Sequence, residues 1–232
     1  MQLPPYFLLQ PAASWDADTV AAFEQLYAQF VAPGTGGEII YTLSAPKWQF
    51  LCYLAEHKQI LMHGSGKSDI KEFEPRKADD VAEFGDRCAV YAASDGIWAM
   101  YFAIMDRDRY VTSLVNGCFR IVAPERSGPY YFFSINGDAL PHHPWRTGAL
   151  YLLPGDRFEQ QPRQQVRGME IEVAHWASPV PIKPLAKLTV EPEDFPFLAQ
   201  IHPHDPAVIR ERAMANPEGF PWLDEAASSE NS

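Results

Sequence analysis

The sequence predicts an α+β fold, on three observations. Helical periodicity gathers in the first half of the chain, strand-like runs separated by Gly, Pro and Asn-Gly turns fill the second, and the two do not alternate as βαβ units would. At 232 residues and 47% apolar composition the chain suits one globular unit with extensions. The expected division is a helical N-terminal extension over 1–44, a main domain over 45–200, and a C-terminal extension over 201–232.

The elements follow in order. From Asp16 to Ala32 apolar residues recur at helical spacing (Val20, Phe23, Leu26, Tyr27, Phe30), and Pro33-Gly34-Thr35-Gly36-Gly37 ends the run. Ser44-Ala45-Pro46 starts a second helix whose apolar stripe is Trp48, Leu51, Cys52 and Ala55. Gln59-Ile60-Leu61-Met62 is a strand that closes on His63-Gly64-Ser65, where glycine would let a ligand approach the backbone. A long polar loop is expected from Gly66 to Asp80. Cys88-Ala89-Val90-Tyr91-Ala92 reads as the next strand, and Ser94-Asp95 caps a helix over Ile97 to Met105 in which Ala99 and Ala103 permit close packing. Strands are expected at Phe119 to Val122, Tyr130 to Ile135, Ala149 to Leu153, Met169 to His175 and Leu185 to Val190. Prolines crowd the last third as an extended wrap, with a short helix from Pro206 to Asn216 and a disordered tail from Glu225 to Ser232.

Composition excludes several classes. A formal charge of -11 argues against nucleic-acid binding, which needs clustered Lys and Arg. Cys52, Cys88 and Cys118 form no CxxC pair and leave an odd count, so neither a disulfide framework nor a zinc site is expected. Met1 to Ala13 lacks the basic start of a cleavable signal, and no apolar run approaches the roughly 18 residues of a membrane helix. The expected location is the cytoplasm.

Most candidate motifs fail. Gly64-Ser65-Gly66-Lys67-Ser68 looks like the end of a phosphate loop, but Leu61 stands where its first glycine belongs. Ser65 lacks the setting of a nucleophile elbow, because His63 holds the first glycine position. His142-His143 and His202-Pro203-His204 read as solvated loop histidines without a third metal ligand, so no metal is expected. Glu170 and Glu172 share one strand face, the wrong display for carboxylates flanking a glycosidic bond.

His63 with Tyr91 carries more. Leu61-Met62-His63-Gly64-Ser65, then Val90-Tyr91-Ala92-Ala93, then Tyr101-Phe102-Ala103 on the next helix resembles the diphtheria-toxin-like ADP-ribosyltransferases. The resemblance implies split β-sheets flanked by helices around an NAD cleft, with NAD as substrate. In that family a His-Gly-Ser at a strand end binds the NAD ribose and nicotinamide amide, and two aromatic rings stack on the nicotinamide. His63, Gly64, Ser65 and Tyr91 fall on these positions, and the second ring is Tyr101 by chemistry or Phe102 by spacing. The third family element is a glutamate on a later strand that supports the reacting ribose. By register His175 stands there, and Glu172 is the nearest carboxylate that follows a polar loop. Glu172 and His175 are therefore the candidate catalytic positions. Strand alternation would place Glu172 on one face and His175, with Ile171 and Val173, on the other. The implied reaction cleaves the nicotinamide-ribose bond and passes ADP-ribose to an acceptor, a protein among the candidates; the alternative is a non-catalytic binding module of the same fold that has lost the glutamate.

Overall fold

Asp16 opens the first helix by accepting the Thr19 backbone N–H at 2.8 Å, which satisfies a donor that the helix itself leaves unpaired. The computed structural model describes residues 3–13, 15–77, 84–166, 168–216 and 219–223. The expected tail from Glu225 to Ser232 and the last residues of the Gly66 to Asp80 loop lie outside the described residues. After a short strand, β1 (Leu8–Leu9), that first helix is α1 (Ala17–Leu26), continued by one wider turn over Tyr27–Val31. Next come β2 (Gly37–Glu38) and α2 (Lys47–Lys58).

Helix α2 differs from the single-stripe expectation. Phe50, Tyr53 and Leu54 are buried along with Trp48, Leu51 and Cys52. The reason is that Phe23 of α1 packs on Phe50 and Tyr53, with ring centroids 5.4 Å apart in both pairs, covering the side an isolated surface helix would leave wet. Gln59 ends α2 in the left-handed region at φ 52°, and its N–H caps the Leu54 carbonyl.

The strand predicted before His63 runs through it as β3 (Ile60–Ser65). The loop that follows is held by a two-residue strand, β4 (Arg76–Lys77), before β5 (Cys88–Ala93). Asp95 then caps α3 (Gly96–Ile104), accepting the Trp98 N–H at 2.8 Å. A long hairpin, β6 (Leu114–Ala123) and β7 (Ser127–Asn136), extends past both predicted strands. The remaining elements are β8 (Gly148–Pro154), β9 (Glu159–Gln160), β10 (Gln164–Val166), β11 (Met169–Val173), β12 (His175–Ser178), β13 (Ala186–Val190), β14 (His202–His204) and α4 (Pro206–Ala215).

These elements make two open sheets, so the fold is α+β. One has the order β1-β7-β6-β11-β10 with β14 parallel to β7; the other has the order β2-β13-β8-β3-β5-β12-β9 with β4 beside β5. The strand expected from Met169 to His175 is instead two strands, one in each sheet. Ala174 is the switch, because its N–H donates to Cys118 in β6 at 3.0 Å while its carbonyl accepts from Ser94, just after β5, at 3.0 Å. Alternation counted along one continuous strand does not carry across such a residue.

The main core lies between the helices and the sheets, joining Phe23, Phe50, Leu54, Met62, Ile97, Tyr101, Phe133, Leu150, Leu152 and Leu188. A smaller cluster on the far face of the second sheet gathers Leu61, Phe73, Val90, Ala92, Tyr151 and Ile182. Both terminal segments join the same body: Phe23, Val31 and Ile39 belong to the main core, and β14 extends the first sheet. His202 and His204 are therefore not solvated loop residues. His204 is buried, with Nδ1 2.6 Å from Ser134 Oγ and Nε2 2.8 Å from Ser113 Oγ, because pairing with β7 draws it under the sheet edge. Among the described residues no helix is long and apolar enough to cross a membrane.

Candidate functional site

The strands carrying His63, Tyr91 and His175 are neighbours in one sheet, in the order β3-β5-β12. β3 is paired with β8 over its whole length, and β5 with β12 from Val90 to Ala93. Between them β3 and β5 share a single pair, Met62 with Ala93, and then diverge. β5 is next paired at Ala89 and Cys88 by β4, so the sheet opens as a fork beside Tyr91.

His63 sits in that fork. Its Nδ1 is 2.8 Å from the Tyr91 carbonyl oxygen, which can only accept, so Nδ1 carries the proton and Nε2 keeps its lone pair. The ring leans on Phe73 with centroids 4.6 Å apart. Burial lowers the imidazole pKa and the Tyr91 carbonyl opposes that only in part, so the ring is neutral at pH 7. Ser65 Oγ accepts the Lys67 N–H at 3.1 Å, and Tyr151 pins the following loop by donating to the Lys67 carbonyl at 2.8 Å and accepting from Ile70 N–H at 3.0 Å.

Gly64 plays a different part from the one its sequence context suggests. A β-carbon there would overlap the Ala99 carbonyl oxygen and come within 2.8 Å of the Ala103 nitrogen, so the space beside Gly64 is filled by α3 and not left to a ligand. Ala99 and Ala103 are the small residues that let the helix settle on the strand.

The aromatic residues form a chain of contacts from β5 through β12 to α3. Tyr91 stacks on His175 at 5.0 Å and 30°, His175 meets Trp98 at 5.8 Å, and Trp98 meets Phe102 at 6.0 Å. Phe84 closes on His175 edge-first at 5.3 Å, and the Tyr91 hydroxyl is shared between the carbonyls of Phe84 at 3.1 Å and Arg87 at 2.9 Å. Tyr91 and Phe102 stand at the two ends of this chain. Tyr101 meets Phe102 edge-first at 5.6 Å from the core side: it is 0% exposed, packs on Phe133 at 4.8 Å, and donates its hydroxyl to the Ser134 carbonyl at 2.8 Å. Neighbouring residues on a helix point about 100° apart, so Tyr101 turns into the core while Phe102 stays partly exposed beside Trp98, four residues before it.

No family model, curated protein or solved structure matches the chain.

The two candidate catalytic positions part company. His175 opens β12 beside Tyr91, with Nδ1 3.1 Å from Gln161 Oε1. Glu172 lies in the other sheet opposite Arg120, and its carboxylate pairs with Arg163 at 3.2 Å, while Glu170 approaches the same arginine at 3.7 Å. Glu172 also borders a cavity of about 20 Å³ together with Asp95, Cys118, Arg120 and Ala174. That volume suits a water and not a sugar. Within it Asp95 is buried and accepts the Tyr131 hydroxyl at 2.7 Å; burial raises its pKa against the opposing effect of its hydrogen bonds. Among the described residues no three His, Cys, Asp or Glu side chains cluster as a metal site. Trp98 and Phe84 are the site neighbours that the sequence did not single out. Trp98 alone had a signal, since it precedes Phe102 by one helical turn.

Proposed function

We propose that this protein is an ADP-ribosyltransferase-like protein that binds NAD at the fork between β3 and β5, cleaves the nicotinamide-ribose bond and passes ADP-ribose to an acceptor. The observation that carries the reading is the adjacency of three strands whose edges present His63, Tyr91 and His175 in the order the resemblance implies. The neutral Nε2 of His63 is an acceptor suited to a ribose hydroxyl, and the Tyr91 ring offers a stacking face for nicotinamide. The Tyr91 to His175 spacing of 5.0 Å leaves no room for a third ring, so nicotinamide does not stack between those two.

A second reading has its own support. The side chain beside Tyr91 is a histidine, and the nearest candidate carboxylate, Glu172, is committed to Arg163 in the other sheet. A neutral or protonated imidazole does not stabilise the positive charge that develops on ribose as nicotinamide leaves, which favours a binding module without turnover. Nicotinamide release by the purified chain, measured with NAD-induced thermal stabilisation, separates the two. Turnover abolished by His175→Ala but not by Glu172→Gln supports the enzyme with His175 at the reacting sugar. Stabilisation by NAD without turnover supports the binding module, and absence of stabilisation, unchanged in His63→Ala, sinks both.

A further inference from the structure

The residues just beyond His63-Gly64-Ser65 hold cationic donors that the fold does not use. A β-carbon at Gly66 would overlap the Arg146 guanidinium, so glycine is what lets that group reach the backbone there. Arg146 Nη1 pairs with Asp108 at 2.6 Å and lies 3.8 Å from Asp106. Its Nη2 has no acceptor among the described residues, and its Nε is buried without one. Lys67 is exposed, and its amino group has no partner among the described residues. Lys67 and Arg107 also lie near enough to Asp108 to hold its carboxyl below the usual range, behind the larger effects of Arg146. In a chain of formal charge -11, an arginine held against Gly66 and an exposed lysine next to it in sequence bring two cations to one glycine.

Gly66 is three residues from His63, about 10 Å along an extended chain, within the reach of one dinucleotide. We propose that Arg146 and Lys67, with the Gly66 backbone between them, form a diphosphate subsite that takes the phosphates of the nucleotide whose ribose lies at His63. The inference rests on the NAD reading and extends it. The guanidinium supplies directed donors and the ammonium a mobile point charge, a pairing suited to two linked phosphates.

The test uses the full chain and calorimetric titration with NAD, ADP-ribose, nicotinamide riboside and inorganic pyrophosphate. Arg146→Ala removes the guanidinium, and Gly66→Ala displaces it while keeping it in the chain, at little cost to folding because the clash falls on the end of a flexible side chain. The expected result is a loss of about tenfold or more in affinity for NAD and ADP-ribose in both variants, with nicotinamide riboside unchanged. The wild-type affinity should also fall with added salt. Equal NAD affinity in the wild type and both variants overturns the subsite and leaves the NAD reading intact. If NAD does not bind but pyrophosphate does, and is lost in both variants, the anion site stands and the NAD reading falls; if neither binds, both fall.

Discussion

Replacing Gly64 with alanine tests whether this glycine serves packing or ligand approach. The added carbon would overlap the Ala99 carbonyl oxygen and stand 2.8 Å from the Ala103 nitrogen, both of them backbone atoms of α3. No rotamer change relieves such a clash, so the helix must lift from β3 or the strand must bend. Overpacking of this kind costs about 1 to 3 kcal/mol, and contact with backbone on two successive turns places Gly64→Ala at the upper end, near 3 kcal/mol. In a chain of this size that corresponds to a fall of roughly 6 to 12 °C in melting temperature. Urea denaturation and thermal melts of the ligand-free protein measure it. Gly66→Ala, whose new carbon meets only the end of Arg146, should stay within about 0.5 kcal/mol of the wild type. A Gly64→Ala protein as stable as the wild type would refute the packing argument and return Gly64 to the role of ligand contact.

Three further outcomes follow from the buried and strained groups. Burial holds the Asp95 carboxyl pKa above its unfolded value, so its ionised form costs stability that is recovered as pH falls through the folded pKa. Asp95→Asn keeps an acceptor for the Trp98 N–H; the wild type should gain stability relative to this variant between pH 7 and 4 in urea titrations, and a constant difference would contradict the assignment. His204 has its pKa lowered by burial, so the stability it contributes is present above the unfolded histidine value near 6.5 and lost below it. His204→Asn should therefore lose less stability than the wild type between pH 7 and 5, measured by the same denaturation. Gln59 occupies a left-handed position at φ 52°, and Gln59→Gly should raise stability by about 1 kcal/mol; an unchanged melting temperature would show the strain to be absent.

Much of the local structure was legible in the chain. Asp16 and Asp95 start their helices at the predicted places, because a cap is a contact between residues three apart and needs nothing from the rest of the molecule. The strands before His63 and through Tyr91 were likewise readable from short apolar runs. The misreadings arose where distant segments intervene. Helix α2 shows one stripe in sequence, yet α1 covers a second side. His202 and His204 look like loop residues until β14 joins β7.

By itself the sequence determined the α+β class, the main helices and longer strands, and the placing of His63 and Tyr91 on strands, since these depend on periodicity, capping and turn residues carried within short windows. Only the tertiary structure decided which strands are neighbours, and so which side chains meet. It separates Glu172 from His175 at Ala174, where an N–H bound to Cys118 and a carbonyl bound to Ser94 send the chain from one sheet into the other. It also buries Tyr101 and leaves Phe102 partly exposed beside Trp98, a choice made by what packs on each face of α3 and not by either residue's chemistry. Those hydrogen bonds and contacts join segments far apart in sequence, and no local pattern specifies them.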